Sequence, residues 1–419
     1  VSASDHPDRA FPFPECPLPA GTRWWILCRV VDNFGDAGIA WRLARQLARE
    51  HGAAVTLFID RPDLVDRLAG NREPGADQRA GVTVRPWPGD ADPSRAAGGD
   101  PAARPDVVIS AFGCEPPPWI RQMLAGAPAR PLWVNLEYLS AEDWVGGCHG
   151  LVSVKPADGA VEHFFYPGFA PATGGLLRER DAVAADDTPP PDERAAALQR
   201  LCGVAPAEDE RVITLFCYPD APLDAWLAAL ADGDRPTLLL APAGVADEGI
   251  GRFAGRPIVP GDPPLQVGRL RIARVPFLSQ DGYDALLRLA DLNFVRGEDS
   301  WIRAHWARRP FVWQPYPQEG GTHRLKLAAF LARMRRAVTV ADGSSPAIAP
   351  TESTESTEAI EAIERMMRAW SGDGDPAAAW CAFEARLASL PQVYRRWTDS
   401  LIDEPDLASK LARWLADRL

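Results

Sequence analysis

Two aspartates four residues apart, Asp32 and Asp36, stand in the stretch "CRVVDNFGDAGIAWRLARQLAREHG" (28–52). An apolar run ends just before them. A helical pattern follows, with Ile39, Leu43 and Leu47 on one face and Gly52 at the C′ position. The spacing predicts a strand passing through a tight loop into a helix, and in open α/β sheets such loops border the ligand crevice. Asp36, near a helix start, can satisfy free N–H groups by capping. Asp32 sits where the strand ends and is harder to explain that way. A dinucleotide fold is the competing chemistry, and Asp60, ending the next strand, would suit a ribose. Yet the loop offers only Gly35 and Gly38 rather than G-x-G-x-x-G, and paired carboxylates repel a pyrophosphate. Carboxylates here suit a cationic acceptor or a general base.

A second group lies in "LNFVRGEDSWIRAHWARRPFVWQPYPQ" (292–318). The pattern predicts a strand ending at Val295, the loop "RGEDS", and a helix opening near Trp301. The free N–H groups of that helix, the Ser300 hydroxyl and the charge of Arg296 would make an anion site. A plain capped loop, with Glu298 and Asp299 complementing the helix dipole, explains the same residues. Position favours the site, because this loop mirrors the first one across an expected cleft. Phe216, Tyr218 and Phe277 fall at strand ends nearby. Strand aromatics are usually core, but at the border of a phosphate site they can stack on a base.

These residues need elements to hold them. Runs at 24–31, 54–60, 81–87, 106–113 and 131–139 are near-continuously apolar, as in a parallel sheet covered on both faces. The pattern restarts at 211–218, 236–242, 270–278, 291–295 and 310–316, with helical stretches between. Two β/α series predict two Rossmann-like domains facing one cleft. The expected organisation is a disordered tail over 1–20 and Rossmann-like domains over 21–185 and 186–375. Helices over 376–419 would pack back on the first domain. Residues 88–105 read as a surface insertion, and 351–364 as an acidic low-complexity tract becoming a helix.

Bulk properties narrow the class. With 419 residues, two domains are the default, and 46% hydrophobic with 24% charged residues suits a soluble globular chain. A net charge of −12 argues against a nucleic-acid surface, and no apolar run approaches the ~20 residues of a membrane span. The first residues lack the apolar segment of a signal peptide. Seven cysteines, odd in number and without a C-x-x-C pair, fit a reduced cytoplasmic compartment and no zinc site. Two Asp-x-Asp triplets, at 232–234 and 373–375, fall in Gly-rich turns rather than at strand ends, so no metal is expected.

The stretches "CRVVDNFGDAGIAWRLARQL", "NLEYLSAEDWV", "FFYPGF", "LFCY" and "PFLSQDGYDALLRLADLNFVRGEDSWIRAHWARRPFVWQPYPQ" resemble the elongation factor P arginine rhamnosyltransferases, the EarP family. The resemblance covers about 24–330. It implies an α/β enzyme of GT-B architecture that moves rhamnose, with inversion, from dTDP-β-L-rhamnose to an arginine of elongation factor P. By motif it implies Asp36 as general base and Asp32 beside it in the acceptor site. Phe216, Tyr218, Phe277 and Gln280 would border the nucleotide, while Arg296, Glu298, Asp299 and Ser300 would hold diphosphate and sugar. Glu137, in "NLEYL", and the loop residues Asn33, Phe34 and Gly35 are candidate acceptor or sugar contacts. Two other readings remain: a glycosyltransferase with another acceptor, and a non-catalytic nucleotide-sugar sensor that docks elongation factor P. A sensor needs no base.

Overall fold

The structure is a computed structural model describing residues 18–19, 21–70, 78–89, 104–126, 130–185, 189–343 and 350–418. Most of the expected tail over 1–20 and of the insertion over 88–105 lies outside these residues. The apolar runs form two sheets. The first contains β1 (Arg23–Cys28), β2 (Ala54–Ile59), β3 (Gln78–Arg79), β4 (Val82–Pro86), β5 (Val107–Ala111), β6 (Leu132–Leu136), β7 (Val152–Val154) and β8 (Val161–Phe165). Their order is β3-β4-β2-β1-β5-β6-β8-β7, parallel except for the edge strands β3 and β7. The second sheet holds β9 (Arg211–Leu215), β10 (Thr237–Pro242), β11 (Leu265–Val267), β12 (Leu270–Val275), β13 (Leu292–Arg296) and β14 (Phe311–Gln314). It runs β11-β12-β10-β9-β13-β14, with β11 alone antiparallel. This is the GT-B architecture: two Rossmann-like sheets sharing a cleft.

Strand order locates the cleft. In the first sheet β1 pairs with β2 on one side and β5 on the other, so the chain reverses direction of winding there. In the second sheet β9 stands likewise between β10 and β13. Loops leaving the carboxyl ends of such strands diverge and leave a crevice. The loop with Asp32 leaves β1; Phe216 and Tyr218 follow β9; residues 297–300 follow β13. All the expected strands are present. Not expected were β3, β7, β8 and β11.

Helix α1 (Phe34–Glu50) fills the seam between the two halves, touching helices Gln280–Leu289 and Asp299–Trp306. Helices Pro350–Trp370 and Pro376–Glu384 cover the second sheet, where Trp370 lies 5.0 Å from Trp226 and 4.5 Å from Phe294, ring centre to ring centre. The last helix, Leu407–Ala416, returns to the first half: Leu407 N donates to the Leu176 carbonyl (2.8 Å) and Gln46 of α1 donates to Asp406 (3.0 Å). Near the cleft, Trp301 and Trp313 stack face to face with centroids 3.6 Å apart, and Trp313 Nε1 donates to the Gly297 carbonyl (2.8 Å). No helix among the described residues is long and apolar enough to cross a membrane.

Candidate active site

The first wall is the β1–α1 loop. Asn33 takes φ 38° and ψ −112°, a sparsely populated pair outside the left-handed helical region, so the turn is strained there. The loop folds back on its own helix: Asp36 Oδ2 accepts the N–H groups of Val31 (2.7 Å) and Asp32 (2.8 Å). Asp36 is thereby 3% exposed. Burial pushes its carboxyl above the ordinary range, while those two N–H groups and the Tyr138 hydroxyl pull it down. Asp32 points the other way, into the cleft, where its Oδ2 accepts the Tyr218 hydroxyl (3.0 Å). Burial raises this carboxyl too, against the pull of Tyr218 and Arg296. Gly35 makes room for it, since a Cβ there would lie 2.8 Å from Asp32 Oδ2.

The facing wall comes from the second sheet. β13 extends to Arg296, one residue beyond the expected end, and the next helix opens at Asp299 rather than near Trp301. Ser300 therefore lies in the first helical turn, and its hydroxyl bonds both the N–H (3.0 Å) and the carbonyl (2.6 Å) of Arg296. It clasps the loop instead of standing free for a phosphate. The Arg296 guanidinium is laid across Phe216 (4.4 Å to the ring centre) and Tyr218 (4.6 Å), and donates to the Cys217 carbonyl (2.9 Å). Glu298 reaches across the cleft and accepts the Leu139 N–H (3.1 Å). Burial drives its carboxyl up to about 8, with Lys326 and that N–H opposing and Asp36 and Asp32 adding to the rise. Gln280 donates to the Gly38 carbonyl (3.1 Å) and to Asp299 Oδ2 (3.3 Å).

Between the walls is a cavity of about 280 Å³. Asp32, Asn33, Phe34 and Gly35 line it on one side; Phe216, Tyr218, Phe277, Gln280, Arg296, Glu298, Asp299 and Ser300 line it on the other. Two expected residues are not in its lining. Asp36 sits behind Asp32, and Glu137 turns to Asn135, whose amide donates to it (3.1 Å). Inside, Gln280 Oε1 is buried without a hydrogen-bond partner, as expected of a group that meets a polar ligand, while the buried Tyr283 hydroxyl faces Ser300. Among the described residues no three His, Cys, Asp or Glu side chains cluster as a metal site would need. Of the Asp-x-Asp triplets, 232–234 straddles a helix end, and Asp375 caps a helix by accepting the Ala377 N–H (2.9 Å).

A family profile described as elongation factor P (EF-P) rhamnosyltransferase EarP matches residues 24–416. The chain belongs to the EarP family. It is 41% identical over 405 residues to a protein-arginine rhamnosyltransferase of Pseudomonas putida, covering 94% of this chain and 99% of that one. A protein-arginine rhamnosyltransferase of Shewanella oneidensis is 34% identical over 416 residues, with 94% and 98% covered. A solved structure, from work on the structural basis of EarP-mediated arginine glycosylation of translation elongation factor EF-P, is 30% identical. It superposes with a TM-score of 0.62 over 95% of this chain and 99% of that one. Membership makes this chain a glycosyltransferase, and specifically a protein-arginine rhamnosyltransferase.

For an EarP-family enzyme the cavity also holds residues that motif reading passed over. Arg67, on α2 (Pro62–Ala69), stacks over Phe277 (4.1 Å) and Phe34 (5.0 Å), which are themselves 4.9 Å apart. Nothing in its local pattern marks it, because the contact is made across the seam. Tyr138 was within reach: it sits in the quoted "NLEYL", one residue beyond Glu137, and it is Tyr138 that bonds Asp36. Pro242, Ala243, Gly244 and Val245, following β10, complete the floor.

Proposed function

We propose that the cavity binds dTDP-β-L-rhamnose and that the enzyme transfers its rhamnose, with inversion, to an arginine of elongation factor P. One observation carries this reading. The side chain of Tyr218 joins the two walls, its hydroxyl donating to Asp32 and its ring lying under Arg296, so a carboxylate and a cationic group face the same cavity from opposite halves. The diphosphate lies against Arg296 and the first-turn N–H groups of helix Asp299–Trp306, which have no partner within the helix. Glu298, protonated near neutrality, adds a donor there instead of a repelling charge. Phe216 and Phe277, with the unpartnered Gln280 Oε1, suit a nucleobase and its polar edge.

A guanidinium is always charged and delocalised, hence a poor nucleophile. In this reading Asp32 fixes its plane and Asp36, behind it, draws off a proton as the nitrogen attacks. The new C–N bond forms on the face opposite the breaking C–O bond, whose electron pair leaves with dTDP. No metal is required, since Arg296 and the helix N-terminus already meet the leaving charge. The described cysteines are all free, which supports work in a reducing cytoplasm. Incubating the protein with dTDP-rhamnose and elongation factor P, then mapping the product by mass spectrometry, tests the proposal. One deoxyhexose on an arginine is expected. Unmodified factor despite donor binding would point to another acceptor.

A further inference from the structure

Helix α1 carries the carboxylate Asp36 at one end and, six residues later, a guanidinium that meets no solvent. Arg42 is 0% exposed. Its Nε donates to Asp299 Oδ1 (2.6 Å), and its two terminal nitrogens grip Asp284 (3.0 and 2.9 Å). Glu179 lies 3.6 Å away. Arg303 grips the same Asp284 (3.1 and 2.7 Å) and bonds Glu179, so two guanidiniums hold three carboxylates in a cluster shared by both halves. Burial pushes the Asp284 carboxyl up, but the Arg42 and Arg303 guanidiniums prevail and hold it at about 2. A buried ion cluster is a poor way to gain stability, because apolar side chains of similar volume serve as well. What it gives is a fixed register.

The register falls on the reacting groups. Asp299 lines the cavity at the head of the donor-side helix, yet both its oxygens are engaged, Oδ1 by Arg42 and Oδ2 by Gln280. Gln280 also donates to the carbonyl of Gly38, two residues past Asp36. At Gly38 a Cβ would stand 2.9 Å from Asp299 Oδ2 and 3.1 Å from Gln280 Nε2, so only glycine allows this approach. The carboxylates and the anion site are thus joined by one short relay, α1 to Asp299.

We infer that Arg42, seated on Asp299 through the gap at Gly38, is a positioning residue that sets the distance between the carboxylate pair and the donor loop. The inference rests on the proposed transfer reaction. Displacement at carbon demands that separation closely, and a misplacement of about 1 Å costs on the order of 10²-fold in rate. Arg42→Lys keeps the charge but loses the fork that spans Asp299 and Asp284; Gly38→Ala keeps the cluster but wedges the relay apart.

Both variants are to be assayed for rhamnosyl transfer to elongation factor P and for dTDP affinity by calorimetry. Each should lower kcat by about 10–10²-fold, and in Arg42→Lys, which leaves Gln280 untouched, donor KM and dTDP affinity should stay within about two-fold. Hydrogen exchange supplies a readout free of activity: segments 32–38 and 296–300 should exchange faster together in Arg42→Lys. Unchanged turnover in both folded variants, or dTDP affinity of Arg42→Lys falling in step with kcat, would overturn the inference. An inactive wild type that still binds dTDP would count against the transfer reading alone, and unchanged exchange in the two segments would then reject the relay by itself.

Discussion

At the scale of single residues, the two carboxylates of the first loop differ in environment, Asp36 held by its own loop and Asp32 facing the cleft. Asp36→Asn should keep dTDP binding and lose transfer by ~10²–10⁴-fold, because the amide still accepts the Val31 and Asp32 N–H groups but takes no proton. Near-normal turnover of the purified variant would leave Asp36 as an organiser of its loop only. Glu298 offers a pH test. Its carboxyl rises from 4.5 to about 8 on folding, so the native state holds this proton more tightly than the unfolded chain does. Its stabilising contribution is complete below about 4.5 and is lost as pH rises through about 8. Glu298→Gln should therefore flatten the fall in stability measured by urea unfolding across that window; an unchanged slope would assign the fall to other groups. Asp32 was legible in the sequence as a cavity residue because a strand end followed by a helix start opens onto a crevice; that Asp36 folds back behind it was not. The engagement of the Ser300 hydroxyl was not, since it depends on where the helix starts, two residues before the periodicity shows it.

At the scale of elements, the anion site is a strand end, a helix start and two aromatic rings that flatten one arginine. Arg296→Ala should weaken dTDP binding by about 1.5–3 kcal/mol, the worth of a charge-assisted contact, and should also slow transfer because charge grows on the leaving group. Calorimetry decides it, and unchanged affinity would put the diphosphate elsewhere. The central strands were readable because burial on both faces leaves them apolar throughout. β8 was not: "VEHFF" interleaves Glu162 and His163 with apolar residues, and its place beside β6 comes from pairing, which leaves no local trace. β3, β7 and β11 are two or three residues long, below the length at which alternation can register. Arg67 belongs with them, being a site residue defined by the seam rather than by its helix.

At the scale of the whole molecule, two series of strands told of two sheets; the switch of winding direction at β1 and β9, which opens a crevice at their ends, emerges only from strand order in the fold. What pattern alone does not carry is how the halves meet. The Arg42 cluster joins residues 42, 179, 284, 299 and 303, too far apart along the chain for any window to collect. The charge layout across that seam bears on metal dependence. With Arg296 and a helix N-terminus on one wall, transfer should proceed unchanged in excess chelator. Activity that disappears with chelator and returns with Mg²⁺ or Mn²⁺ would overturn this, and would show a cation bridging the diphosphate.

The stacked indoles give the enzyme a built-in optical gauge. Two identical chromophores 3.6 Å apart and 7° from parallel couple their excited states, and the circular-dichroism couplet of such a pair is set by the rotation of one ring over the other. Trp301 follows Ser300 in the chain, and Trp313 is tied to Gly297, so both rings hang from a loop that lines the cavity. A ligand that shifts this loop by a few degrees should change the couplet's amplitude, with no label attached. Titrating dTDP into the unmodified enzyme and following that band would time the loop's response separately from catalysis.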